Sequence, residues 1–103
     1  MIFKEPWYAI YKSSADNGQA LVQEAETEIP HGHALSGKAL IAIARRGDRD
    51  DVLFQADGGP NVAIVHLTWS GKKERPGRPS TQVFSSVADF IASRMEADHF
   101  DFV

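Results

Sequence analysis

The chain has 103 residues, net charge −3 and no cysteine. That length suits one domain with one core, 43% hydrophobic content is enough to fold, and the acidic balance argues against general nucleic-acid binding. The missing thiols exclude disulfides and cysteine catalysis, and the longest apolar run, Ala39 to Ala44, is far short of the roughly 20 residues that cross a membrane.

Trp7-Tyr8-Ala9-Ile10-Tyr11 is aromatic and short, and predicts a first strand. Asp16 and Gln19 have the spacing of a helix capping box. Leu21, Val22, Ala25 and Ile29 then recur at helical spacing until Pro30 stops them, so 16–28 predicts an amphipathic helix. A hairpin through Asn17-Gly18 is the competing reading. Glu24, Glu26 and Glu28 suit an exposed helix surface better than a strand.

His31-Gly32-His33 opens a loop. Residues 38–45 read as a strand that is apolar on both faces, 52–56 as the next, and 62–69 as the most apolar of all. The turns at 47–50 and 57–61 are short, which makes 38–69 an antiparallel meander. In the last of these strands Ala63, Val65, Leu67 and Trp69 share one face, expected to meet the helices. Val62, Ile64, His66 and Thr68 share the other. Residues 70–80 form a loop rich in glycine and proline, and 81–84 a short edge segment. Ser86 and Asp89 make a second capping pair ahead of a helix face of Val87, Phe90, Ile91 and Met95. Phe100, Phe102 and Val103 alternate in a tail that docks back on the body. The expected fold is one α+β domain over 1–103, an antiparallel sheet of about four strands with two helices packed on one face.

Four histidines carry the chemical options. His31 and His33 lie two apart, so an extended segment aims both side chains the same way, a geometry that suits a metal. No recognised metal-ligand spacing accompanies them, and no metal or other cofactor is expected. His66, with Asp50, Asp51 or Glu74 to orient it, is a candidate general base. A pair of histidines with Lys38, Lys72 or Arg75 would equip a metal-free nuclease. Lys72, Lys73, Arg75 and Arg78 form a locally basic loop. Three arginines and three aspartates crowd the turn from Arg45 to Asp51, either as a self-neutralising turn or as a recognition surface. Arg46-Gly47-Asp48, Gly58-Gly59-Pro60, and the serines Ser36 and Ser70 lack the context of the motifs they superficially match.

Pro30-His31-Gly32-His33, then Asp50-Asp51-Val52-Leu53-Phe54, then Val65-His66-Leu67-Thr68-Trp69-Ser70-Gly71 with Glu74 and Pro79, resembles a group of small bacterial proteins of unknown function. The resemblance runs over about residues 16 to 99. It implies a bacterial stand-alone protein and brings no catalytic residues with it.

The sequence thus points to a cytoplasmic, non-enzymatic protein-binding module, of the kind exemplified by toxin-neutralising immunity proteins. The competing reading is a small hydrolase or nuclease using His66 with a second histidine. The expected binding cluster is His31, His33, Asp50, Asp51, His66, Thr68 and Trp69, brought together by the meander. The expected partner is a protein; nucleic acid is disfavoured and a membrane is not expected.

Overall fold

The computed structural model describes residues 3–10, 18–74 and 79–102. Five strands, β1 (Trp7–Ala9), β2 (Leu40–Arg46), β3 (Asp51–Ala56), β4 (Val62–His66) and β5 (Thr81–Phe84), form one antiparallel sheet in chain order. The expected meander is its centre. Two additions are Trp7–Ala9 paired on one edge and 81–84 on the other, giving five strands where about four were expected.

Helix α1 (Gln19–Glu28) joins β1 to β2. Asp16, its expected cap, lies outside the described residues; Gly18 occupies the cap position and offers no side-chain bond. Gly18 is fixed there by space, since a Cβ would sit 2.6 Å from the Cβ of Ala42. After β5, the short helix α2 (Val87–Phe90) runs through a π-helical turn (Ile91–Met95) into helix α3 (Glu96–Phe102). The Ser86 hydroxyl accepts the Asp89 N–H at 3.0 Å, as the spacing predicted, and the Asp89 carboxylate accepts the Ser85 N–H at 3.1 Å. The tail through Phe102 is therefore helical, not extended: the π turn continues the chain instead of ending it.

The helices do not share a face. Leu21, Ala25 and Ile29 of α1 pack on Leu40, Ala42, Val52, Phe54, Ala63, Val65 and Leu67. Phe90 and Met95 pack on Trp7, Ala44, Leu53, Val62, Ile64 and Phe84 from the opposite side. The reason lies in the central strands. Val52-Leu53-Phe54 and Val62-Ala63-Ile64-Val65 are buried on both faces, and a sheet with no polar face needs cover on each side.

A β-bulge adjusts β2 to this arrangement. Ala42 pairs with Phe54 and Ala44 with Leu53, leaving Ile43 as the extra residue. Leu40 and Ala42 therefore face α1, whereas Ala44 and the following Arg46 face the C-terminal helices. Trp7, opposite Arg46, falls on that same side and meets Phe90 edge to face with ring centroids 4.9 Å apart.

Strand β4 stops at His66. Leu67 still bonds back through its N–H to Asp50, but Trp69 has a left-handed backbone, φ +58°, so the strand does not reach 69. Ala63, Val65 and Leu67 do face α1 as alternation predicted; Trp69 does not lie beneath the helices and is 47% exposed.

Candidate functional site

At the C-terminal end of α1 the polypeptide makes a grip. The Glu28 side chain is fully buried, and its carboxylate accepts the N–H of Thr68 at 3.0 Å and that of Trp69 at 2.8 Å. Glu24, one helical turn earlier, accepts the N–H of Gly71 at 3.0 Å. The Glu74 N–H bonds to the Glu28 carbonyl, and the Lys73 ammonium bonds to the Ile29 carbonyl. Residues 68–74 are thus tied to one helix end by five separate donors. Burial raises the Glu28 pKa above the ordinary carboxylate range, and a hydrogen bond with Glu24 pushes the same way; the Thr68 and Trp69 amides pull it down. The outcome is a left-handed tryptophan held with its ring half in solvent. An L-residue pays conformational energy there that glycine would not, about 1–2 kcal/mol.

The opposite face carries a network of side chains. The imidazole of His66 bonds through Nδ1 to Asp51 at 2.7 Å; these two residues are direct cross-strand partners on β4 and β3. Asp51 is buried and the His66 side chain is 51% exposed. Because the Asp51 carboxylate accepts, Nδ1 carries the hydrogen and Nε2 is left for solvent. The second oxygen of Asp51 lies 3.5 Å from the Arg94 guanidinium. Arg94 also reaches Asp98 at 3.0 Å and Gln82 at 3.1 Å. Asp98 in turn accepts the Trp7 indole N–H at 2.8 Å and lies 3.3 Å from Arg46. Arg46 ends the chain of contacts on Asp48, two bonds at 2.9 and 3.0 Å, which hold the Asp48 carboxyl below the usual carboxylate range. This network fastens the π turn and α3 to the sheet, with an open groove of about 530 Å³ beside His66.

The residues expected to form one binding cluster are divided by the sheet. Asp51 and His66 meet under the C-terminal helices. Thr68 and Trp69 meet Glu28 at the α1 end. His33 is also on the α1 side: its Nδ1 accepts the Leu35 N–H at 3.0 Å, so Nε2 carries the hydrogen and lies 3.1 Å from the Pro79 carbonyl and 3.0 Å from the Thr81 hydroxyl. Both nitrogens of His33 thus brace loops. His31 is exposed at a separate open cavity with Glu26, Lys38 and Lys73. Asp50 is exposed, and its carbonyl receives the Leu67 amide. Among the described residues no second histidine lines the groove beside His66, His99 being bonded through Nδ1 to the Glu5 carbonyl at 2.7 Å. Among the described residues, too, no three histidine or acidic side chains are grouped as a metal would require, and no helix is long and apolar enough to cross a membrane. Arg75 and Arg78 of the basic loop lie outside the described residues.

Sequence reading missed Arg94 and gave three other residues different roles: Glu28 as helix surface, Arg46 as part of a charged turn and Asp98 as a conceivable metal ligand. Glu28 sits in the run Glu24, Glu26, Glu28, where each looks like helix surface. Its neighbour Ile29 does fall on the buried face, and that adjacency to the helix stop at Pro30 was the available signal. Arg94 and Asp98, four apart, are a recognisable helical ion pair, but nothing in the spacing says that the pair turns inward.

No family model matches the chain, and no curated protein or solved structure matches it either.

Proposed function

We propose that this chain is a non-enzymatic protein-binding module working in the cytoplasm, and that Trp69 is its anchor. The observation carrying this reading is the grip of buried Glu28 on the Thr68 and Trp69 amides, which fixes an exposed tryptophan in a left-handed backbone. Neither half of that arrangement serves the core. A desolvated carboxylate and a strained non-glycine residue both cost stability, and such costs are characteristic of recognition sites. An exposed tryptophan with a fixed backbone and the polar chain neighbours Thr68 and Ser70 has the make-up of an interface hot spot. A protein partner fits better than nucleic acid, because Glu24, Glu26 and Glu74 at this helix end leave Lys72 and Lys73 without the basic excess a polyanion needs among the described residues. Masking another protein, as immunity proteins do, is the activity that needs no more equipment than this.

The test is co-purification from the native host of the wild-type chain and Trp69→Gly, each at native level. Glycine accepts φ +58° without strain, so the variant keeps wild-type stability to within about 1 kcal/mol. The reading expects a stoichiometric protein partner with the wild type, its loss with Trp69→Gly, and a one-to-one complex rebuilt from the two purified proteins. A partner that survives Trp69→Gly, no stoichiometric partner at all, or nucleic acid in place of protein would each overturn it.

A further inference from the structure

We infer that the groove beside His66 is a binding site for a phosphate group, independent of the Trp69 loop on the far side of the sheet. Six residues carry the inference: Arg49, Asp51, His66, Ser80, Gln82 and Arg94, all lining the same open groove of about 530 Å³.

The case is a census of donors and acceptors. The carboxylate and amide acceptors on the lining are already used, which leaves the His66 Nε2 as the open ring acceptor. One oxygen of Asp51 takes the His66 Nδ1–H at 2.7 Å, and the other faces Arg94 at 3.5 Å. The Gln82 carbonyl oxygen takes an Arg94 N–H at 3.1 Å. Arg94 is committed to Asp51, Gln82 and Asp98, but three other donor groups are not used. Among the described residues the Arg49 guanidinium has no hydrogen-bond or ion-pair partner, and acts on Asp48 only through its longer-range field. The Ser80 hydroxyl and the Gln82 amide nitrogen likewise have no partner among the described residues. A groove with several free donors and one open ring acceptor selects a ligand rich in acceptors that brings a single proton, which is a partly protonated oxyanion.

Placement narrows the class. His66 bonds through its backbone N–H to the Ser80 carbonyl, so Ser80 continues the cross-strand row Asp51, His66 on the same face of the sheet. Arg49 comes from the β2–β3 turn, Gln82 from β5 and Arg94 from the π turn. Arg94 supplies charge, and the free donors of Arg49, Ser80 and Gln82 reach the groove from the turn, from the residue before β5 and from β5, which suits a tetrahedral anion better than a flat carboxylate. With Nδ1–H committed to Asp51, the His66 Nε2 is open to accept a hydrogen bond from a proton-bearing ligand oxygen. A phosphate group suits this, because its last ionisation lies near pH 6. The one carboxylate on the lining does not forbid an anion, since Asp51 is matched by Arg94 at its second oxygen.

The experiment titrates the full chain with inorganic phosphate, following backbone amides by NMR against potassium chloride of equal ionic strength. Arg49→Gln and Ser80→Ala alter exposed side chains that bond to no side chain or backbone group among the described residues, and Lys72→Gln, an exposed lysine on the other side, is the charge control. Expected are saturable shifts at residues 49, 66, 80 and 82, with affinity about tenfold weaker in Arg49→Gln. Ser80→Ala is expected to be weakened and Lys72→Gln unchanged. Shifts that grow without saturating, that chloride reproduces, or that Arg49→Gln leaves untouched would overturn the site. So would equal weakening by Lys72→Gln, which would make the effect one of net charge.

Discussion

The two faces of the sheet are held by different chemistry. On the α1 face the core is mainly aliphatic, Leu21, Ala25, Val52 and Val65 around the single ring of Phe54, and the polar ties run from carboxylates to backbone amides. On the other face Phe90 is ringed by Trp7 at 4.9 Å and Phe84 at 5.6 Å, and the polar ties join side chain to side chain from His66 to Asp48. A carboxylate that holds main-chain amides dictates the shape of a loop. A network of arginines and aspartates dictates where a helix docks and leaves spare donors at its rim. The first face therefore displays a conformation, the second a charge pattern.

Removing the centre of the aromatic cluster should separate the faces most strongly. Phe90→Ala is expected to cost about 3–5 kcal/mol, the range for a fully buried phenylalanine. Urea unfolding would give that loss, and hydrogen exchange should show residues 87–102 opening before α1.

Glu28→Ala attacks the other face. It strands the Thr68 and Trp69 amides, with a penalty of about 1–3 kcal/mol for each buried donor that finds no water. Exchange should quicken at 68–71 and leave the C-terminal helices protected. Equal loosening of both ends would show that the faces are not separately fastened.

Asp98→Asn removes the charge shared by Trp7, Arg94 and Arg46. The expected loss is about 1.5–3 kcal/mol, as for hydrogen bonds to a charged group. It should appear in the exchange of 91–102, with the 68–74 loop unchanged.

The smallest effect is one of pH, and it isolates Glu28. Its folded pKa is raised, so the protonated carboxyl favours the folded state. That contribution is complete below the unfolded value of about 4.3 and is lost as pH rises through the folded value. Asp48 and Asp89 are shifted downward and act in the opposite sense, so the useful quantity is wild type minus Glu28→Gln. That difference should fall as pH rises from the ordinary carboxylate range and then level off. A difference that rises with pH would mean that the amides of residues 68 and 69 outweigh burial.

Much of the scaffold was legible because it rests on local rules. Alternation sorted Ala63, Val65 and Leu67 from Val62, Ile64 and His66, and the register confirms the sorting. Short turns gave the meander, and Ser86 with Asp89 gave the start of the last helices. Nonlocal features stayed hidden. Continuous apolar strands state that both faces are covered, yet not which helix covers which. The extra residue at Ile43 has no local signature among Leu40, Ile41, Ala42 and Ala44. The histidines were scattered because His33 is claimed by Pro79 and Thr81, residues far along the chain, and only the docking of that loop makes the bond.

The bulge at Ile43 has a consequence for how this chain tolerates change in length. Side chains alternate with period two, and Ile43 is the residue of β2 that stands outside that count. Excising it would leave Ala42 opposite Phe54 and Ala44 opposite Leu53, so Ala44 and Arg46 would keep the face they already occupy. Strand β3 pairs with β4 without a break in register and has no such spare residue, so a deletion there would swap the destinations of the side chains between it and the next turn. Loss of one codon should therefore be survivable at 43 and lethal to folding within Asp51–Ala56.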